Sequence, residues 1–210
     1  MKVCEIFKSL QGESTHWGKV CSFVRLSGCN LQCTYCDTEY ARTQGETWSI
    51  EEIVSEVQTH RTRLVEVTGG EPLLQPEAPI LCKRFLELGY TVLVETNGTM
   101  DIAAILPPVI RIVDCKCPSS GHEGSFLEKN FNRLTPADEC KFVISDKADF
   151  HWALDVVRRE TLHEIGPVLF SPNMTLLPPK ELAEWIIEEN APVRLGVQLH
   201  KLLWGDRRGV

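Results

Sequence analysis

Leu64-Val-Glu-Val-Thr-Gly-Gly-Glu-Pro72 is the stretch whose reading decides the fold. A short β-prone run, Leu64 to Thr68, stops at two glycines and a proline, as a buried strand does where it gives way to a loop. Helical patterns flank it. Ser49-Ile-Glu-Glu52 has the form of a capping box and opens a segment with Ile50, Ile53, Val54 and Val57 on one side. Pro76 to Leu88 reads as a second helix, stopped by Gly89. Helix, strand, helix at this spacing is the repeating unit of a parallel sheet.

The alternation continues outward in both directions. Val20–Leu26, Tyr90–Glu95, Arg111–Cys115, Glu139–Ile144, Val168–Ser171 and Val193–Gln198 read as further strands. Asp101 to Leu106, Lys147 to Glu160 and Pro179 to Glu189 read as helical. Such a chain is α/β, either an open doubly wound sheet or part of a (β/α) barrel, and periodicity alone does not choose. Polar and glycine-bearing motifs sit at strand C-terminal ends again and again: Gly69-Gly70-Glu71, Glu95-Thr-Asn-Gly98, Lys116, Ser171-Pro-Asn173 and Gln198 with His200. Loops at that end of a parallel sheet converge on one face, so the candidate chemistry shares one mouth.

Composition narrows the classes. The 210 residues are 43% apolar, enough for a sizeable core, and are expected to form one domain over residues 1–210. No apolar run approaches the roughly 18–20 residues that span a bilayer. The N-terminal stretch Met1-Lys-Val-Cys-Glu-Ile-Phe-Lys8 lacks the apolar core of a signal peptide, so a cytoplasmic protein is expected. A net charge of −7 disfavours a nucleic-acid surface. Nine cysteines, an odd number, argue against a disulfide framework. Cys4, Cys21, Cys82 and Cys140 lie in apolar contexts and read as buried thiols. Cys115 and Cys117 flank Lys116 and do not read as a second metal pair.

The remaining three cysteines form a motif, Cys29-Asn-Leu-Gln-Cys33-Thr-Tyr-Cys36, directly after the first of these strands. Three thiolates on a cubane iron–sulfur cluster leave one iron without a protein ligand, and that iron is free to bind and activate a small molecule. The alternative is a tetrahedral zinc ion, with His16 or another cysteine as fourth ligand.

Paired with the Gly69-Gly70-Glu71-Pro72 loop one strand later, the cysteine run resembles the radical S-adenosylmethionine superfamily. The resemblance implies a partial (β/α) barrel with mostly parallel strands. It implies a [4Fe–4S] cluster on Cys29, Cys33 and Cys36, its open iron chelated by the amino and carboxylate groups of S-adenosylmethionine. Gly69, Gly70 and Glu71 would receive the amino group, and Glu95, Asn97, Asp114, Cys115, Lys116 and Ser171 are the further implied cofactor contacts.

Five more segments narrow the resemblance: Lys8-Ser-Leu-Gln-Gly-Glu13, Cys36-Asp37-Thr38, Lys116-Cys-Pro-Ser-Ser-Gly121, Glu139-Cys-Lys-Phe-Val-Ile144 and Gln198-Leu-His-Lys201. Together they look like the 7-carboxy-7-deazaguanine synthase family. That implies conversion of 6-carboxy-5,6,7,8-tetrahydropterin to 7-carboxy-7-deazaguanine with loss of ammonia, in queuosine and deazapurine biosynthesis. It also implies a homodimer and an electron donor such as flavodoxin or ferredoxin. Leu10, Gln11, Gly12, Glu13, Arg25, Thr68 and His200 are then the expected substrate contacts. Gln11 and Glu13 suit the donor and acceptor edge of a pterin, and Arg25 offers a fork for a carboxylate. Thr38 is the implied hydroxyl ligand of Mg²⁺. No catalytic side chain is expected beyond the cluster and cofactor. Ser14 departs from the glycine the family often has there. Two alternatives stand beside this reading: a glycyl-radical enzyme activase, which the Gln11–Glu13 and Asp37–Thr38 elements disfavour, and a zinc-binding module without activity.

Overall fold

In the computed structural model, which describes residues 1–205 and 207–210, the deciding stretch is the fourth strand, β4 (Leu64–Gly69). Before it come β1 (Lys2–Leu10), β2 (Val20–Leu26) and the two-residue β3 (Glu46–Thr47). After it come β5 (Thr91–Thr96), β6 (Ile110–Asp114), β7 (Glu139–Ile144), β8 (Val168–Pro172) and β9 (Arg194–Leu195). The α-helices are α1 (Ile50–Thr59), α2 (Ala78–Glu87), α3 (Lys147–Arg159), α4 (Leu162–Ile165), α5 (Pro179–Glu188) and α6 (Leu199–Trp204).

All the strands join one sheet in the order β3-β1-β2-β4-β5-β6-β7-β8-β9. From β2 to β9 every neighbour is parallel, while β1 runs antiparallel to both β2 and β3. The sheet does not close, since β3 and β9 are its edges. The result is the expected partial (β/α) barrel.

Strand alternation separates two environments. On β2, β4 and β5, Val24, Leu26, Val65, Val67, Val92 and Val94 face outward onto α1 and α2, where they bury Ile53, Val57, Leu81 and Phe85. On β7 and β8, Cys140, Phe142, Ile144 and Phe170 pack against Phe150, Leu154 and Val157 of α3. Each such side chain stabilises the fold by roughly 1.5–3 kcal/mol relative to exposure. The inner face carries a small apolar floor of Phe23, Leu64, Leu93 and Ile112, with Phe7 stacked on Phe23 at 5.0 Å. Nearer the strand C-terminal ends that same face turns polar. Register sets Arg25 beside Thr68 and Asp114 beside Lys141, with Glu66 and Glu95 on the strands between.

The helix signals read from the sequence are present. Ser49 Oγ accepts from the Glu52 N–H at 3.2 Å, and the Glu52 carboxylate accepts from the Ser49 N–H at 2.7 Å, closing the capping box. Gly89, at φ +80°, follows α2.

Four expectations need correction. β1 is not legible as a strand, because charges at Lys2, Glu5 and Lys8 mask its alternation; Lys2 and Lys8 are exposed, while Glu5 is held by Arg25 and Tyr40. The expected strand Val193–Gln198 shrinks to Arg194–Leu195, the two residues that pair with β8, and the chain then turns into α6. The expected helix at Asp101 to Leu106 is a single 3₁₀ turn, Ile102–Ala104, capped by the Asp101 side chain on the Ala103 N–H. Cys4 is half-buried on β1, unlike Cys21, Cys82 and Cys140.

Candidate active site

A cavity of about 540 Å³ opens at the C-terminal ends of the parallel strands. That size suits small organic ligands. Cys29, Cys33 and Cys36 all line it, so the three thiols share one chamber. Their loop leaves β2 through Gly28, at φ +94°, and docks on the segment after β6. Thr34 N–H donates to Ser120 O at 3.1 Å, Thr34 Oγ1 to Ser119 O at 2.6 Å, and Gln32 N–H to His122 Nε2 at 2.9 Å. Leu31 N–H lies 3.5 Å and Asn97 Nδ2 4.0 Å from Cys29 Sγ, placing N–H groups against the thiol.

The glycine loop after β4 is fastened to this cysteine loop. Gly70 N–H donates to Leu26 O at 3.1 Å and Glu71 N–H to Gly28 O at 2.8 Å. A Cβ on Gly70 would sit 2.0 Å from Gly28 O and 2.8 Å from the Cys29 Cβ, so only glycine allows this approach. Gly69 and Gly70 line the cavity. Glu71 does not. Its buried carboxylate accepts from Leu73 N–H at 2.9 Å, Thr96 Oγ1 at 2.7 Å and Asn97 N–H at 2.7 Å. It therefore fixes the end of β5.

The donor set fits a cubane better than a single ion. Among the described residues no three His, Cys, Asp or Glu side chains converge as one metal ion would require. A cubane places each thiolate on a different iron, so its three cysteines need share only a chamber. Gly70 lets the two loops pack in direct contact beside the Cys29 thiol. Two buried oxygens of chamber-lining residues, Asp114 Oδ1 and Tyr35 Oη, have no hydrogen-bond partner among the described residues, and a polar ligand would supply one.

Above the apolar floor the chamber carries a network of buried and half-buried charges. Lys141 Nζ, on β7, is paired with Glu13 and with Glu95 at 2.6 Å, and lies 3.9 Å from Asp114. Lys116 Nζ donates to Asp114 Oδ2 at 2.7 Å. Thr68 Oγ1 donates to Glu95 at 3.2 Å, and Gln198 Nε2 to Glu13 at 2.8 Å. Gln11 is wholly engaged: Nε2 donates to Glu66 at 2.5 Å while Oε1 accepts from the Glu13 and Ser14 N–H groups. Ser14 is thus accommodated within the turn. Burial raises the Glu13 carboxyl, but Lys141 and neighbouring donors overcome it and hold the carboxyl below its ordinary value.

Glu66 behaves oppositely. Burial first, and the charge of Glu95 second, push its carboxyl from 4.5 up to about 8. The unfolded chain therefore gives up this proton well before the folded chain does. Glu66 contributes stability below pH 4.5 that is lost as pH rises toward 8. Urea midpoints measured across that window should decline less steeply in Glu66→Gln, which keeps an acceptor for Gln11. An unaltered decline would show that Glu66 is ionised in the folded protein.

At the rim, Arg25 Nε donates to Glu5 at 2.8 Å, and Glu5 accepts from Tyr40 Oη at 2.7 Å. The terminal nitrogens of Arg25 have no hydrogen-bond partner among the described residues. The Arg208 guanidinium lies 3.7 Å above the Tyr40 ring, which ties the 207–210 tail to the cavity wall. Thr38 Oγ1 donates to Asp37 at 2.9 Å, and Asp37 pairs with Lys201 of α6 at 2.8 Å. Leu199 N–H donates to Gly12 O at 2.9 Å. A Cβ on Gly12 would lie 2.6 Å from His200 Nδ1, so His200 packs onto a glycine and faces the chamber.

Leu10, Gln11, Gly12, Glu13, Arg25, Thr38, Thr68, Glu95, Asn97, Asp114, Lys116 and His200 thus gather around one chamber. Cys115 and Ser171 do not. The Cys115 side chain is buried in the outer core beside Cys117 and Cys140, and its N–H is spent on Lys141 O at 2.8 Å. Ser171 is buried and does not line the chamber, and a Cβ added to Gly196 would come within 2.5 Å of its hydroxyl. Sequence reasoning missed Glu66, Lys141, Asn173 and the 207–210 tail. The tail carries no readable motif. Lys141 carries one, because it alternates with Cys140 and Phe142 on β7 and must face inward if they face out.

The Radical SAM superfamily profile matches residues 23–112. Among curated proteins, 7-carboxy-7-deazaguanine synthase of Koribacter versatilis is 44% identical, covering 97% of this chain and 97% of its own length. The Chlorobaculum tepidum protein of that name is 39% identical over 100% of this chain and 97% of its length. The chain belongs to the 7-carboxy-7-deazaguanine synthase family. Its fold agrees: the crystal structure of QueE from Escherichia coli superposes with a TM-score of 0.76 at 24% identity, over 95% of this chain and 94% of that one. As a member of the radical S-adenosylmethionine superfamily it uses a [4Fe–4S] cluster and S-adenosylmethionine.

Proposed function

We propose that this chain converts 6-carboxy-5,6,7,8-tetrahydropterin to 7-carboxy-7-deazaguanine with loss of ammonia, acting as a carbon–nitrogen lyase in deazapurine biosynthesis. The observation that carries the reading is the meeting, in one cavity, of three cysteines, a glycine loop pressed against them and a network of paired charges. Full-length relatedness to proteins of that name supports it. Residues 1–210 act as one domain in this reading, supported by the single continuous sheet.

Cys29, Cys33 and Cys36 hold the cluster, and Gly69, Gly70 and Asn97 border the cofactor. Bound there, cluster and cofactor supply reductive cleavage of a sulfonium and, from it, hydrogen abstraction at carbon 6 of the pterin. The protein's residues do the rest. Lys116 and Asp114 hold polar groups of the cofactor. Glu13, fixed by Lys141 and Gln198, receives donors on the pterin edge, while Gln11 acts from behind by holding the Glu13 backbone. Arg25 receives the substrate carboxylate with its unpartnered nitrogens. Thr38 and Asp37 present oxygens suited to Mg²⁺, which keeps most of its waters and takes few protein ligands. His200 closes the rim over Gly12.

A small-molecule substrate and a one-electron donor such as flavodoxin or ferredoxin follow from this chemistry. No helix among the described residues is long and apolar enough to cross a membrane. A cytoplasmic location and a homodimer belong to the same proposal.

The deciding experiment is mass spectrometry of an anaerobic reaction with reductant, S-adenosylmethionine, Mg²⁺ and the carboxylated tetrahydropterin. Appearance of the ring-contracted product is expected; its absence from a protein that holds its cluster defeats the proposal. Arg25→Ala should raise KM for the pterin by about tenfold or more, the loss of one charged hydrogen-bonding group. Cofactor cleavage without product should remain detectable. Loss of both together would place Arg25 in the fold instead of at the substrate.

A further inference from the structure

Lys141 is the one cation within 4.0 Å of Glu13 or of Glu95 among the described residues. It also comes within 3.9 Å of Asp114 Oδ2, the oxygen that Lys116 holds at 2.7 Å. These carboxylates arrive from three separate parts of the chain: the loop after β1, the end of β5 and the end of β6. Glu13 lies on the substrate side of the chamber and Asp114 on the cofactor side in the functional reading above, and Glu95 is among the cofactor contacts that the family resemblance implies. The ammonium that joins them is 6% exposed, so water does little to screen it. Its backbone is fixed as well, by pairing with Asp114 across the sheet and by the Cys115 N–H on Lys141 O.

We propose that Lys141 is a positioning residue that links the two halves of the site, so that binding of the pterin and binding of S-adenosylmethionine are energetically coupled through one shared ammonium. A ligand donor that engages Glu13 draws charge away from Lys141, which then leans on Glu95 and Asp114 and sets them for the cofactor. The reverse holds equally, because coupling between two binding sites is reciprocal. This inference rests on the functional reading but is tested by binding.

Calorimetry on the cluster-loaded protein, without reductant so that nothing turns over, gives the S-adenosylmethionine Kd with and without saturating carboxylated tetrahydropterin. In the wild type the pterin should tighten the cofactor about tenfold, a typical coupling. In Lys141→Gln the two Kd values should agree within about twofold, and Lys141→Arg, which keeps the charge, should recover part of the difference. A merely structural lysine would weaken both ligands alike and leave their ratio unchanged. Should Lys141→Gln not fold, Lys141→Met, which keeps the length of the stem without the charge, replaces it, and its coupling should likewise vanish. Full coupling in either neutral variant overturns the proposal, as does a wild type that converts the pterin yet shows no coupling. A wild type that neither binds nor converts the pterin refutes the functional reading instead.

Discussion

Cys33→Ala is expected to fold, to lose its cluster and to make no product. Cys33 is half-buried on a loop held from several sides by Thr34, Gln32 and the glycine loop, so removing one sulfur leaves the backbone anchored. The cluster depends on all three thiolates, since its fourth iron has no protein ligand to compensate. Iron and sulfide content should fall to a minor fraction of wild type after identical anaerobic reconstitution. Turnover should drop below detection, because no side chain in the chamber replaces a one-electron source. Cys82→Ala is the matching control. Cys82 is buried in the outer core against α1 and the sheet, so that variant should lose stability and keep its iron. A Cys33→Ala protein with full iron would move the metal away from this loop and sink the assignment of the motif.

Gly70→Ala should cost nearly as much activity by a different route. The new methyl would fall 2.0 Å from Gly28 O and 2.6 Å from Gly28 C, both backbone atoms of the loop that carries Cys29. Neither is the tip of a flexible side chain, so the two loops must separate. The overpacking itself costs about 1–3 kcal/mol of stability, measurable as a lower urea midpoint. The larger effect is on geometry. Separation shifts Cys29 relative to the cofactor wall, and a misplacement of about 1 Å costs on the order of a hundredfold in rate. Iron should still bind, since the three thiols remain. Near-normal turnover in Gly70→Ala would show that the contact between the two loops is dispensable.

Opposite readouts separate the two variants: the first loses iron and keeps stability, the second loses stability and keeps iron. The motif and its support can therefore be told apart in one set of preparations.

Much of the site was legible because its parts are local. Cys29, Cys33 and Cys36 fall within one loop, and Gly69-Gly70 follows a strand whose end is visible in the sequence. What was misjudged depended on partners distant along the chain. Glu71 reads as a ligand residue, yet its carboxylate is consumed by Thr96 and Asn97. Gln11 lines the chamber as expected, but the sequence does not show that Glu66 holds its amide. Ser171 lies near a strand end as expected but is buried out of the chamber lining. β1 hid behind its charges, and with it the pairing of Glu5 to Arg25.

By itself the sequence determined the parallel α/β architecture and the cysteine and glycine loops at one mouth. Those features follow from the local rules of strand period, helix capping and loop chemistry, which need only neighbours a few residues away. Only the tertiary structure decided which polar groups are free and which are already satisfied, and that Lys141 stands between Glu13 and Glu95. The physical reason is that a buried charge is defined by what surrounds it: Glu13 and Lys141 are 128 residues apart in the chain and meet only when the sheet curves around them.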